Sequence, residues 1–231
     1  MITIDTISKK YGKAEVLNVS SIEIPTGQSF GLVGNNGAGK TTLFNVILDL
    51  IRPTTGTVTS NNIVVSESET WKNFTGSFID ESFLIGYLTA EEYFQFIGDL
   101  RGMNTAEVTA FIAKFEDFFN DEIIGKKKYL RDLSKGNQKK AGIVAALMGN
   151  PEVVILDEPF ANLDPTTQIR LKQVIKKLTD NSNITVLISS HDLTHVTEVC
   201  ERIVVLDKGV VVKDISTSAE TLKELELYFS V

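Results

Sequence analysis

The chain has 231 residues, 42% hydrophobic and 23% charged, with a formal net charge of −7 and a single cysteine, Cys200. This is the composition of a soluble globular protein with a sizeable core. The acidic balance argues against a nucleic-acid binder, and one cysteine excludes an intrachain disulfide or a cysteine-rich metal site. The opening MITIDTISKKYG lacks the apolar stretch of a signal peptide, and no run approaches the roughly 18 apolar residues of a membrane span.

Ile2, Ile4 and Ile7 approximate a strand ending at Tyr11-Gly12, and Val16–Ile24 reads as a second strand before a turn at Pro25-Thr26-Gly27. Phe30–Val33 is a short apolar run typical of a buried strand. Leu43, Phe44, Ile47 and Leu50 mark the apolar face of a helix beginning at Lys40. Between them lies Gly34-Asn35-Asn36-Gly37-Ala38-Gly39-Lys40-Thr41, a full G-x-x-x-x-G-K-[ST] phosphate loop. A triphosphate needs several backbone N–H groups aimed at one point, and only a loop with few side chains lets the main chain come that close. The following helix adds its positive end, Lys40 a charge for the β- and γ-phosphates, and Thr41 a hydroxyl for Mg²⁺.

Arg52-Pro53-Thr54-Thr55-Gly56 then breaks the chain. Thr57–Val65 reads as one strand and Ser66–Asn73 as a polar loop. Thr89-Ala90-Glu91-Glu92 is a capping box opening a helix over Glu91–Leu100. Val108, Phe111, Ile112, Phe115 and Phe119 share one face of the next helix, a stripe read as core packing, or as part of a partner-facing surface, in preference to a ligand site. Lys126-Lys127-Lys128 reads as a solvated loop. Ser134 caps a helix running to about Met148, and Val153–Leu156 is a continuous apolar strand. Asp164 caps a further helix with Pro165 at its first position; Leu171, Val174, Ile175 and Leu178 form its buried face. Ile184–Ile188 is another strand, with a helix from near Asp192. Ile203–Leu206 and Val210–Val212 form a hairpin around Asp207-Lys208-Gly209. Short buried strands alternating with helices imply a mainly parallel sheet covered on both faces.

A phosphate loop needs a metal-holding carboxylate at the end of another strand. Val153–Leu156 leaves Asp157 in that place, within reach of Mg²⁺ directly or through water. Glu158, the next residue, can polarise an attacking water.

With these motifs in this order, nearly the whole chain resembles the nucleotide-binding subunit of an ATP-binding cassette (ABC) transporter. The resemblance implies an α/β P-loop NTPase core with a mainly parallel sheet, an antiparallel β subdomain and an inserted helical subdomain. All 231 residues would form a single domain, the core and β subdomain at about 1–85 and 150–231 and the helical subdomain at about 86–149. Phosphate binding would fall to Gly34, Asn35, Asn36, Gly37, Ala38, Gly39, Lys40, Thr41 and Thr42. Tyr11 matches the aromatic residue that stacks on adenine. Leu133-Ser134-Lys135-Gly136-Asn137 lies at the family's LSGGQ signature, with Ser134 and the Gly136 N–H expected at a γ-phosphate. Ala161-Asn162-Leu163-Asp164 matches the D-loop, which places Asp164 among the nucleotide-binding residues. His191, in Ser189-Ser190-His191-Asp192, matches the switch histidine and joins Glu158 and Lys40 as catalytic.

Two departures stand out. Lys135 replaces the first signature glycine and Asn137 its glutamine. The family's Q-loop glutamine falls on Asp80, or on Glu81 if the count slips by one, so the metal set is Thr41, Asp157 and Asp80. The resemblance implies ATP and Mg²⁺ as cofactors and an ATP-dependent homodimer, or a heterodimer with a related ATPase. Phosphate loop, Asp157, Glu158 and His191 would act in cis, and Ser134 and Gly136 in trans. The partner would be a separate transmembrane permease of exporter type, with the chain peripheral on the cytoplasmic face of the cell membrane and no nucleic acid expected. The alternatives are a non-transport ABC ATPase acting on ribosomes or DNA, and a regulatory nucleotide-binding module that does not hydrolyse.

Overall fold

A computed structural model describes residues 1–180 and 183–230. β1 (Ile2–Tyr11) and β2 (Ala14–Ile24) pair antiparallel with their apolar residues in register, Ile2 opposite Ile24 and Ile4 opposite Ile22. β3 (Ser29–Val33), buried throughout, runs to the glycine-rich loop, and α1 (Lys40–Ile47) follows it. The stretch expected as one strand over Thr57–Val65 is a tight hairpin. β4 (Thr55–Ser60) and β5 (Ile63–Val64) pair across Asn61 and Asn62, at φ +47° and +64°. Two consecutive left-handed residues make the turn whose twist matches its strands, and asparagine tolerates that conformation. Ser66–Asn73 is likewise more than a loop. A 3₁₀ turn over Thr70–Phe74 buries Trp71, whose indole N–H donates to the Val65 carbonyl at 3.0 Å.

β6 (Thr75–Phe78) is a strand the sequence reading lacks. α2 (Ala90–Leu100) opens with the expected capping box of Thr89 and Glu92. The phenylalanine stripe falls on two helices instead of one, α3 (Thr105–Ala113) and α4 (Glu116–Phe119). Its rings stay in contact across the break, Phe115 lying 5.2 Å from Phe111 and 6.4 Å from Phe119 between centroids. Phe119 is buried beside Phe94, so the stripe is core. Next come α5 (Lys135–Ala146), capped by Ser134, β7 (Val153–Leu156) and α6 (Pro165–Asp180). β8 (Thr185–Ser190), α7 (Leu193–Val199), β9 (Arg202–Asp207), β10 (Val210–Ser216) and α8 (Thr221–Phe229) complete the order.

The larger sheet runs β10-β9-β3-β8-β7-β6, parallel except for β10 at one edge; the smaller is antiparallel, β2-β1-β4-β5. Successive residues of the central strands feed two cores. Leu32, Ile155 and Leu187 join α1 and the antiparallel sheet, while Val33, Val154 and Ile188 join the helices of the other face. The strand order decides the site. β3, β8, β7 and β6 are neighbours, so their carboxyl ends bring the phosphate loop, Ser189 to His191, Asp157-Glu158 and Asp80 to one edge, where open parallel sheets bind ligands.

Candidate nucleotide site

The phosphate loop leaves β3 with its shape already determined by close packing. A Cβ on Gly34 would meet the Leu206 carbonyl oxygen at 2.3 Å, so the main chain can follow this path only without a side chain. The Gly209 N–H donates to the Ala38 carbonyl at 2.8 Å and pins the loop to the β9–β10 turn. Gly39, at φ +108°, turns the chain into α1.

Lys40, the first residue of α1, is buried. Its ammonium donates to the Gly34 carbonyl at 2.6 Å and lies 3.3 Å from Glu158 Oε1. The Thr41 hydroxyl donates to Asp157 Oδ2 at 2.5 Å, and the fully buried Ser189 hydroxyl donates to Asp157 Oδ1. Burial raises the Asp157 pKa above the ordinary carboxylate value, and the hydrogen bonds from Ser189 and Thr41 oppose that shift.

Glu158 is held at four atoms. Its N–H donates to Ser189 Oγ at 2.9 Å and its carbonyl accepts from Lys139 Nζ at 2.8 Å. Its carboxylate meets Lys40 through Oε1 and His191 Nδ1 through Oε2, the latter at 2.9 Å. The residue sits at φ +46°, a left-handed conformation that costs a non-glycine residue about 1 kcal/mol or more and persists where its surroundings fix it.

A cavity of about 470 Å³ opens between Thr41, Asp157, Glu158, Lys139 and the Asp80-Glu81 turn. Asp80 caps the 3₁₀ turn Glu81–Phe83 by accepting the Ser82 N–H at 2.8 Å, a bond that lowers its pKa, while Glu81 faces Lys139. A larger cavity of about 920 Å³ lies elsewhere, beside α2, α3 and Arg170 of α6; it holds none of the phosphate-loop chemistry.

The donor set fits Mg²⁺. A threonine hydroxyl and a buried carboxylate 2.5 Å apart are hard oxygen ligands on one cavity wall, with Asp80 and Glu81 on the other. Among the described residues no three His, Cys, Asp or Glu side chains form a metal cage, so the remaining ligands would be phosphate oxygens and water.

The family model described as ABC transporter matches residues 17–161. This chain belongs to the ABC transporter family. It is 36% identical over 209 residues to the uncharacterized ABC transporter ATP-binding protein YhaQ of Bacillus subtilis (strain 168), covering 90% of this chain and 69% of YhaQ. The bacitracin transport ATP-binding protein BcrA of Enterococcus faecalis is 33% identical over 224 residues, 94% of this chain and 70% of its own length. Among solved structures, the cassette MJ0796, a post-hydrolysis dimer bound to ADP and Pi, superposes with a TM-score of 0.83 at 28% identity, covering 95% of this chain and all of that one. The chain is thus an ABC transporter ATP-binding subunit, of a family that binds and hydrolyses ATP. Among its described residues no helix is long and apolar enough to cross a membrane.

In this ABC subunit the structure brings Lys40, Thr41, Asp157, Glu158 and His191 together, with Asp80 at the cavity edge. It leaves four others apart. Tyr11 is exposed at the end of β1 with Lys9 over its ring. Ser134 is exposed at the start of α5, accepting the Asn137 N–H, and Gly136 lies against the Asn162 carbonyl. Among the described residues, no hydrogen bond or ion pair links Ser134 or Gly136 to the phosphate loop. Asp164 caps α6, accepting from both the N–H and hydroxyl of Thr167. Two residues absent from the sequence-based set belong to the site, Ser189 and Lys139. Ser189 stood in the switch-histidine motif without a role, and Lys139 gave no signal beyond its nearness to the signature.

Proposed function

We propose that this subunit is a Mg²⁺-dependent ATPase in which Glu158 is the water-polarising base, working as an ATP-driven dimer that powers a separate permease. The observation that carries this reading is the four-point hold on Glu158. Lys40 Nζ lies 3.3 Å from Glu158 Oε1. A triphosphate in the loop draws the ammonium toward the β- and γ-phosphates, which frees that oxygen to accept a proton from water. His191 Nδ1 keeps Oε2 in place, and its other ring nitrogen serves the γ-phosphate. Thr41, Asp157 and, through water, Asp80 are the residues that would hold Mg²⁺, which when bound would supply charge neutralisation for the phosphate oxygens.

Ser134 and Gly136 stand away from their own phosphate loop, which supports their use in trans on the nucleotide of a second subunit, of the same or a related chain. Tyr11 stacks on adenine. The domain is a single one, with residues of about 86–149 as its helical part. Exposed Leu50, Phe83 and Leu100 rim an apolar groove of about 510 Å³ beside β6, α2 and α5, next to the Asp80-Glu81 turn. Contiguous exposed apolar surface of this kind suits the permease, which holds the subunit at the cytoplasmic face of the membrane. The Ser134-Lys135-Gly136 signature supports a permease of exporter type. The test is Glu158→Gln. It should keep ATP binding and slow steady-state turnover by about 10²-fold or more; wild-type turnover would overturn the assignment.

A further inference from the structure

Lys139 is the least accounted-for charge in the molecule. It lies on α5, one turn past the signature, where a lysine would ordinarily reach into solvent. Instead its side chain is 6% exposed and its ammonium sits on the nucleotide cavity. Two contacts absorb it: a 2.8 Å hydrogen bond to the Glu158 carbonyl and an ion pair with Glu81 Oε1 at 3.7 Å. A buried ammonium is costly to desolvate and persists only where such partners surround it.

The packing of α5 explains how the lysine reaches this place. A Cβ on Gly142 would fall 2.3 Å from the Phe78 ring, and one on Gly76 would fall 1.8 Å from the Ala146 carbonyl oxygen. These two glycines let α5 lie directly on β6, whose neighbour β7 ends in Asp157 and Glu158. Lys139 therefore rises from a rigid helix onto the peptide after Glu158. The first turn of the same helix carries Ser134 and Gly136, and Gly136 lies against Asn162 of the segment after Glu158.

Glu158 needs external support because its φ of +46° is a conformation that a glutamate leaves when released. Ser189 holds its N–H and Lys139 its carbonyl, one on each side of the strained residue. We infer that Lys139 is a positioning residue for hydrolysis, a strut that joins the signature helix to the backbone of the Glu158 in the same chain and is itself held by Glu81. The strut rests on Glu158 being the base. It assigns Glu81 to Lys139 and leaves Asp80 to face the metal. It also gives any displacement of the signature helix a direct route to the carboxylate that handles water.

The test uses the full-length chain, with steady-state ATPase kinetics, ATP affinity by equilibrium dialysis, and thermal unfolding. Lys139→Met should lower kcat by about 10-fold to 100-fold, because a displacement near 1 Å is enough for such a loss, while the Kd for ATP stays within about threefold. Lys139→Arg, which keeps the charge and a donor, should recover most of the rate; a cavity-filling role would not distinguish arginine in this way. Adding Glu81→Gln to Lys139→Met should change kcat less than about twofold, because linked residues lose their effect together. If Lys139→Met does not fold, Lys139→Gln is read by the same two numbers. A kcat within twofold of wild type, or a loss of ATP affinity in step with kcat and no rescue by arginine, overturns the strut. Glu158→Gln run alongside separates the two readings. If it stays fully active, the base assignment fails and the strut with it; if it is inactive while Lys139→Met is fully active, only the strut fails.

Discussion

Ser189→Ala probes the support of Glu158 from the other side. The hydroxyl is fully buried at the end of β8, donating to Asp157 and accepting the Glu158 N–H at 2.9 Å. Losing a hydrogen bond to a carboxylate costs about 1.5–3 kcal/mol, and stranding a buried N–H costs about 1–3 kcal/mol. Water entering from the cavity that Asp157 and Glu158 line would recover part of both, so the expected net loss of stability is about 2–4 kcal/mol. In urea, with a slope of about 1–3 kcal/mol per molar, the midpoint should fall by on the order of 1 M at an unchanged slope. Released from its N–H anchor, Glu158 relaxes from its left-handed conformation, and kcat should fall about 10-fold or more at nearly constant ATP affinity. Circular dichroism against urea and steady-state ATPase rates on the same preparation measure both quantities. A midpoint within about 0.2 M of wild type together with a kcat within about twofold would refute the placement of this hydroxyl between the Asp157 carboxylate and the Glu158 N–H.

Burial raises the Asp157 pKa above the ordinary carboxylate value. Its contribution to stability is complete below the ordinary aspartate value and is lost as pH rises through the raised one. Asp157→Asn should therefore lose less urea resistance than wild type as pH rises above about 4, and identical profiles would rule out burial as the cause. Asp80→Asn should raise the Mg²⁺ concentration for half-maximal ATPase activity, whereas Glu81→Gln should lower kcat and leave that concentration alone. If only Glu81→Gln shifts the Mg²⁺ curve, the metal role belongs one residue later.

The candidate site residues are legible because a phosphate loop constrains the main chain and leaves a mark in residue order. The phosphate loop, Asp157-Glu158 and His191 all fall where the motif order puts them, at the ends of adjacent strands. The misread stretches are those where tertiary packing overrides local pattern. Thr57–Val65 reads as one strand only if Asn61 and Asn62, two turn-favouring residues, are passed over, and their left-handed backbone makes it a hairpin. β6 spans four residues including Gly76, a glycine that reads as a break but is there because α5 leaves no room for a Cβ. The phenylalanine stripe keeps helical spacing across a break between α3 and α4. Lys139 was invisible for a related reason: in a helix that also bears Lys135 and Lys140, a lysine reads as solvated, and its burial depends on Gly142 meeting Phe78.

The dimer is the central claim, because among the described residues no hydrogen bond or ion pair links Ser134 or Gly136 to the phosphate loop of their own chain. Light scattering of the Glu158→Gln protein, with and without Mg²⁺ and ATP, tests it most directly. The mass should double from one chain to two on adding Mg²⁺ and ATP; a mass unchanged at nucleotide concentrations far above the affinity would contradict the shared site.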